Sequence, residues 1–133
     1  MTPLEEAERW LSEARENLAA AHVLFEKKHF SVCAFHCQQT GELALKALLY
    51  ARNQRVLGHS LVGLLSRAVN SGYPEVDAEL REAAEGLDEY YISPRYPDAF
   101  DARLPSEHYT GEIAEEALKW ANQILNYVTE NLP

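Results

Sequence analysis

Between Phe30 and Arg52 the chain is apolar on more than one face of any helix it can form: Phe30, Cys33, Ala34, Cys37, Ala44, Leu45, Leu48 and Leu49. A helix without one clear polar side must sit at the centre of a bundle or against another subunit. This segment therefore sets the architecture, because other elements have to cover it. One polar stripe survives on it, His36, Gln39, Glu42 and Lys46, at spacings of three and four. The plain reading is a solvated stripe with a Glu42–Lys46 pair worth about 0.2–0.5 kcal/mol. The alternative is a dedicated site.

The covering elements are also helical. Leu4, Ala7, Leu11, Ala14, Leu18, Ala21 and Phe25 alternate steps of three and four, one face of a long amphipathic helix. The stretch "HSLVGLLSRAV" predicts a short helix with Ser60 as its N-cap, ended by Asn70-Ser71-Gly72. A fourth helix is expected to open at Pro74 and run through Val76, Leu80, Ala83, Leu87, Tyr90 and Tyr91, with Pro94 and Pro97 ending it. Residues from about Ser93 to Glu107 should be non-helical. The last helix starts near Thr110 and turns Ile113, Ala117, Ala121, Ile124, Leu125 and Val128 inward. No β pattern occurs. The expectation is an all-α protein, a single domain over residues 1–133. It should form an antiparallel up-and-down bundle of four long helices plus one short helix.

A formal charge of −9 argues against broad nucleic-acid binding, and no DNA partner is expected. The distribution qualifies this, since Leu43 to Pro74 contains no acid but holds Lys46, Arg52, Arg55 and Arg67. That stretch is either a helix end and loop that happen to lack acids, or a local anion site. No apolar run reaches the roughly 18 residues that span a bilayer. The N-terminus lacks a signal-peptide pattern, so the cytoplasm is the expected compartment. Cys33 and Cys37 share a helix face, where reduced thiols suit that compartment. His29 could join them as a metal ligand, but no second cluster completes a closed zinc site, so neither metal nor cofactor is expected.

The segments "FHCQQTGELALKALL", "GHSLVGLL", "YYISPRYPDA" and "YTGEIAEEAL", in that order, resemble the HEPN domain (higher eukaryotes and prokaryotes nucleotide-binding). The resemblance spans most of the chain. It implies a helical bundle that commonly dimerises and that in prokaryotes often works beside a small nucleotidyltransferase. In a chain of this length that partner is expected to be a separate protein, in a toxin–antitoxin-like pair.

Some HEPN proteins are metal-independent ribonucleases that use an arginine and a histidine separated by four to six residues, the arginine usually followed by a polar residue. Arginine steadies phosphate charge and histidine moves a proton near neutral pH. Three pairs have the spacing: Arg15 with His22, Arg52 with His59, and Arg103 with His108. Arg15 lies in the first helix, where the family does not place the pair. Arg52 has its polar follower, Asn53, but ends the second helix. Arg103 lies in the appropriate late region, but Leu104-Pro105 follows it.

The family's other pattern matches residue by residue at Lys46, His59, Tyr91, Arg95, Tyr96 and Asp98. Pro94 and Pro97 limit backbone freedom around Arg95 and Tyr96, so this segment is held in one shape at low entropic cost. Arginine can grip a phosphate bidentately and tyrosine can stack on a base. Arg95 is therefore expected to join Lys46 and His59 around one anion, as a site for a nucleotide or RNA phosphate. Alternatively the cluster pins a long loop to the bundle, with Arg95 satisfied by Asp88, Glu89 or Asp98. A third possibility is an interaction-only dimerisation module whose apolar second helix makes the contact.

Overall fold

In the computed structural model, which describes residues 1–100 and 102–133, the chain opens with helix α1, Pro3–Glu26. Thr2 caps it by accepting from the Glu5 amide at 3.1 Å, and Pro3 takes the first position, where its missing N–H costs nothing. Ala7, Leu11, Ala14, Leu18 and Ala21 are buried, as their spacing predicts. Every second residue of that seam is alanine, so α1 can lie close against its neighbour.

That neighbour is α2, Phe30–Ala51. Lys28, in the left-handed region at φ 63°, reverses the chain between the two. Trp10 stacks on Tyr50 at 4.7 Å, Asn17 meets His36 and Phe25 meets Phe30, so the pair is antiparallel along its whole length. Helix α2 is central, with Leu45, Leu48 and Leu49 fully buried. Each such side chain stabilises the fold by about 1.5–3 kcal/mol.

Helix α3, Leu61–Asn70, runs the same way as α2. Its first residue packs on Gly41, while Ser71, just past its end, accepts from Arg52 through its carbonyl and from Gln54 through its hydroxyl. Strict up-and-down alternation therefore lapses at this one connection. Residues 54–60 are not helical and carry the chain back along α2. Extended backbone covers about 3.3 Å per residue, ample for the roughly 15 Å length of a ten-residue helix.

Helix α4, Ala78–Asp88, is shorter than the sequence suggests. Asp77 caps it by accepting from the Leu80 amide at 2.8 Å, so Asp77 and not Pro74 sets its start. It ends at Asp88, ahead of both tyrosines and prolines. Turns follow to Arg95, then a single 3-10 turn at Pro97–Ala99 and a one-turn helix α5, Pro105–His108, within the segment expected to be non-helical. Helix α6, Gly111–Asn131, starts with its Thr110 cap as predicted. It packs antiparallel to α4, with Gln123 donating to Glu79 and Trp120 against Gly86. Among the described residues the molecule is an all-α bundle, and no helix is long and apolar enough to cross a membrane.

Candidate functional site

Of the polar stripe of α2, Glu42 and Lys46 are interior, while His36 and Gln39 are half-buried. Glu42 and Lys46 are 5% and 7% exposed, and Gln38 beside them is fully buried. Charges so placed survive only when paired and hydrogen-bonded. Here Glu42 Oε2 accepts from Lys46 Nζ at 3.0 Å, and Oε1 accepts from Gln38 Nε2 at 3.2 Å. The remaining donor comes from outside the helix: His59 Nδ1 lies 3.1 Å from Glu42 Oε1. Gln38 Nε2 also donates to the His59 carbonyl at 3.1 Å, and Gln39 Nε2 donates to Gln38 Oε1 at 2.8 Å. The network thus fixes both the backbone and the ring of His59.

The outer side of His59 carries the aromatic segment. Tyr91 lies over the imidazole, with ring centroids 4.1 Å apart and its hydroxyl 2.9 Å from Nε2. Arg95 folds back so that Nε donates to the Tyr91 carbonyl at 2.6 Å. Its guanidinium carbon sits 4.4 Å from the Phe35 ring centroid, 4.6 Å from Tyr91 and 5.2 Å from Tyr96. Three rings around one cation hold it by cation–π attraction while leaving its charge uncancelled. No carboxylate among the described residues forms an ion pair with Arg95. Asp88, one of the acids expected to satisfy it, accepts instead from Ser60 and from the Leu61 and Val62 amides at the start of α3. Asp98 is exposed on the 3-10 turn.

The structure therefore brings together His59, Tyr91, Arg95 and Tyr96, and it sets Lys46 apart from them. Lys46 is buried behind Glu42, which cancels its charge, so it cannot meet the same anion as Arg95. Phe35 and Gln38 are additional members. Their signal was the ladder Phe35, Gln38, Glu42, Lys46, one face at steps of three and four. A shallow hollow of about 450 Å³ adjoins the cluster at His59, Tyr91 and Ile92. A larger hollow, about 620 Å³, lies by Trp10 among Glu5, Glu6, Glu8 and Glu13, whose charge opposes a phosphate.

The three arginine–histidine pairs fare differently. Arg103 Nη2 lies 3.1 Å from His108 Nδ1, because α5 turns His108 back toward Arg103. Phe100 stacks on that imidazole at 4.3 Å. Arg52 donates to the Ser71 carbonyl and covers Tyr73 at the far end of α3 from His59, so those two are not a pair within one chain. Arg15 and His22 are both exposed on α1, two turns apart. His29 is exposed while Cys33 and Cys37 are buried, so the three do not converge, and no metal-binding group of three or more His, Cys, Asp or Glu occurs among the described residues. The Cys37 thiol hydrogen-bonds to Cys33, which raises the Cys37 pKa and lowers that of Cys33.

The HEPN domain family model matches residues 7–132. A Methanocaldococcus jannaschii protein named "Putative toxin MJ1304" is 31% identical, with the match covering 95% of this chain and 88% of that protein. The crystal structure of TT1696 from Thermus thermophilus superposes with a TM-score of 0.85 at 42% identity, over 93% of this chain and 96% of that one. ST0689, an archaeal HEPN homologue, superposes with a TM-score of 0.79 at 30% identity, over 96% and 98% of the two chains.

Proposed function

From the premise that the chain belongs to the HEPN domain family, we propose that it binds an RNA or nucleotide phosphate at the Arg95 cluster, as the toxin-like member of a two-protein system. The observation that carries this reading is the Arg95 guanidinium, exposed and held over three aromatic rings with no carboxylate partner among the described residues. A cation immobilised in advance loses little entropy on meeting a phosphate, and its planar fork matches phosphate oxygens. Tyr96, 47% exposed, offers a face on which a base can stack for about 1–3 kcal/mol. Net charge −9 fits recognition confined to this one patch rather than spread along a strand. The "Putative toxin" relative supports the toxin–antitoxin assignment. In this reading the chain forms a homodimer, and its antitoxin is a separate nucleotidyltransferase.

The test is fluorescence anisotropy with a short single-stranded RNA, comparing the wild type with Arg95→Ala. A loss of affinity of about tenfold or more is expected, since a hydrogen bond to a charged group contributes about 1.5–3 kcal/mol. Equal affinity of the two proteins would sink the assignment.

A second reading rests on Arg103 and His108, which touch at 3.1 Å on the outside of the bundle. Arginine only donates, so His108 Nδ1 is the acceptor and its proton resides on Nε2. A phosphate that draws Arg103 away frees Nδ1. This would be a metal-independent ribonuclease, and metal-free incubation with labelled RNA beside Arg103→Ala and His108→Ala distinguishes it. Cleavage lost in either variant makes the chain an enzyme; intact RNA throughout leaves the binding reading.

A further inference from the structure

We propose that phosphate binding at this site takes up a proton on His59, and that buried Glu42 is the positioning residue that makes the coupling obligatory. The inference rests on the phosphate-binding reading of the Arg95 cluster and identifies its second contact.

A carboxylate only accepts hydrogen bonds, so the 3.1 Å approach of His59 Nδ1 to Glu42 Oε1 requires the proton on Nδ1. The neutral imidazole then presents a lone pair at Nε2, which the Tyr91 hydroxyl meets at 2.9 Å. A phosphate oxygen also only accepts. It cannot pair with a bare lone pair, and the ring cannot deliver Nδ1–H instead, because Glu42 holds that side. The imidazole can bond a phosphate only as imidazolium, whose Nε2–H replaces the contact to Tyr91.

The environment favours this assignment. Glu42 is 5% exposed and tied to α2 by Gln38 and Lys46, while the His59 side chain is 51% exposed at the molecular surface. One nitrogen is thus anchored to the interior and the other is accessible. Besides Glu42 and Lys46 from α2, the charged and titratable groups near the ring among the described residues are Asp88 and Glu89 at the end of α4, with Tyr91 and Arg95 beyond them. Asp88 is committed to the α3 amides, and Arg95 stands on the Tyr91 ring that also carries His59. The ligand class is a phosphodiester of single-stranded RNA. Its phosphate takes the two cations, and its base stacks on tyrosine.

The experiment measures affinity for an oligoadenylate lacking terminal phosphates, whose diester groups do not titrate, at half-unit steps from roughly pH 5 to 8. Wild-type affinity should fall by up to about tenfold per pH unit across part of that range, the limit for one proton per binding event. Calorimetry in two buffers of different ionisation enthalpy should show proton uptake. His59→Gln keeps a neutral donor at the surface and should bind with no such slope. Glu42→Gln can donate to Nδ1 and so admit the other tautomer, and its slope should flatten; circular dichroism confirms that it folds. A flat wild-type profile, or a slope retained by His59→Gln, overturns the coupling while leaving the Arg95 site standing. Absence of binding at every pH overturns both.

Discussion

The Asp88 carboxylate, at the end of α4, accepts from the Leu61 amide at 2.5 Å and so caps a helix that begins 27 residues earlier in the chain. Its other oxygen accepts from the Val62 amide and the Ser60 hydroxyl, at 3.2 and 3.1 Å. An acid at that terminus also meets the positive end of the helix dipole. Asp88→Ala should destabilise the protein by about 1–2 kcal/mol, read as a lower urea midpoint at unchanged slope. Because Ser60 adjoins His59, the same variant should also weaken RNA binding. A midpoint equal to wild type would show that the Ser60 side chain, which accepts from Gly63, caps α3 alone.

Gly41 on α2 faces Leu61, and a Cβ built there collides with the Leu61 side chain, with Leu87 at 3.4 Å behind it. A glycine in mid-helix ordinarily gains about 1 kcal/mol on replacement by alanine. Here Leu61 and Leu87 are fully buried and have nowhere to go. Gly41→Ala should therefore lose stability, by about 1–3 kcal/mol, the usual penalty of overpacking. Thermal melting decides the sign, and a raised Tm would mean that α3 can slide outward freely.

Burial holds the His36 imidazole below the ordinary histidine value. Between that lowered value and about 6.5, the unfolded chain binds the proton while the folded chain does not. The contribution of His36 is therefore complete above about pH 6.5 and is lost as pH falls through that window. Urea midpoints for the wild type and His36→Gln should differ by a constant amount above about pH 6.5, and the difference should change as pH falls below it. Parallel curves would assign the acid sensitivity to other groups.

Tyr90 is buried beside Tyr109, and burial first, then that neighbour's charge, push its hydroxyl up to about 12. The protonated form is the one the fold favours, so its contribution is full below about pH 10 and disappears as pH rises from there toward 12. Alkaline titration followed by tyrosinate absorbance should show a late step that Tyr90→Phe removes. If that variant keeps the late step, the step belongs to Tyr109 or Tyr127, whose hydroxyls burial also raises.

Arg95→Lys should bind RNA about as poorly as Arg95→Ala. Lysine keeps the charge but lacks the planar group that Phe35, Tyr91 and Tyr96 hold and the fork that fits a phosphate. Full affinity in the lysine variant would reduce Arg95 to a point charge.

The helices were legible wherever one side of a period had to be buried. Leu11, Ala14 and Leu18 announced α1, and Leu45, Leu48 and Leu49 announced the central helix. Helix α4 starts later than Pro74 suggests because proline at a first helical position and aspartate as a cap are competing signals three residues apart, and Asp77 prevails. The direction of α3 was not legible, since the non-helical segment 54–60 can return the chain either way. In the site, Arg95 and its tyrosines stood out between two prolines. The burial of Glu42 and Lys46 did not, because helical spacing says which residues share a face and not what covers that face. The cover, His59, arrives 17 residues later in the sequence.

That separation has a consequence for synthesis. Phe35, Gln38 and Glu42 leave the ribosome long before Arg95 and Tyr96, and α6, which covers α2 and α4, comes last. Translation proceeds from the N-terminus at about 5–20 residues per second, so for several seconds a nascent chain holds His59 and its α2 partners without Arg95 and Tyr96. The site comes into being only as the chain is finished, and no truncated product of translation ending before residue 95 can carry it.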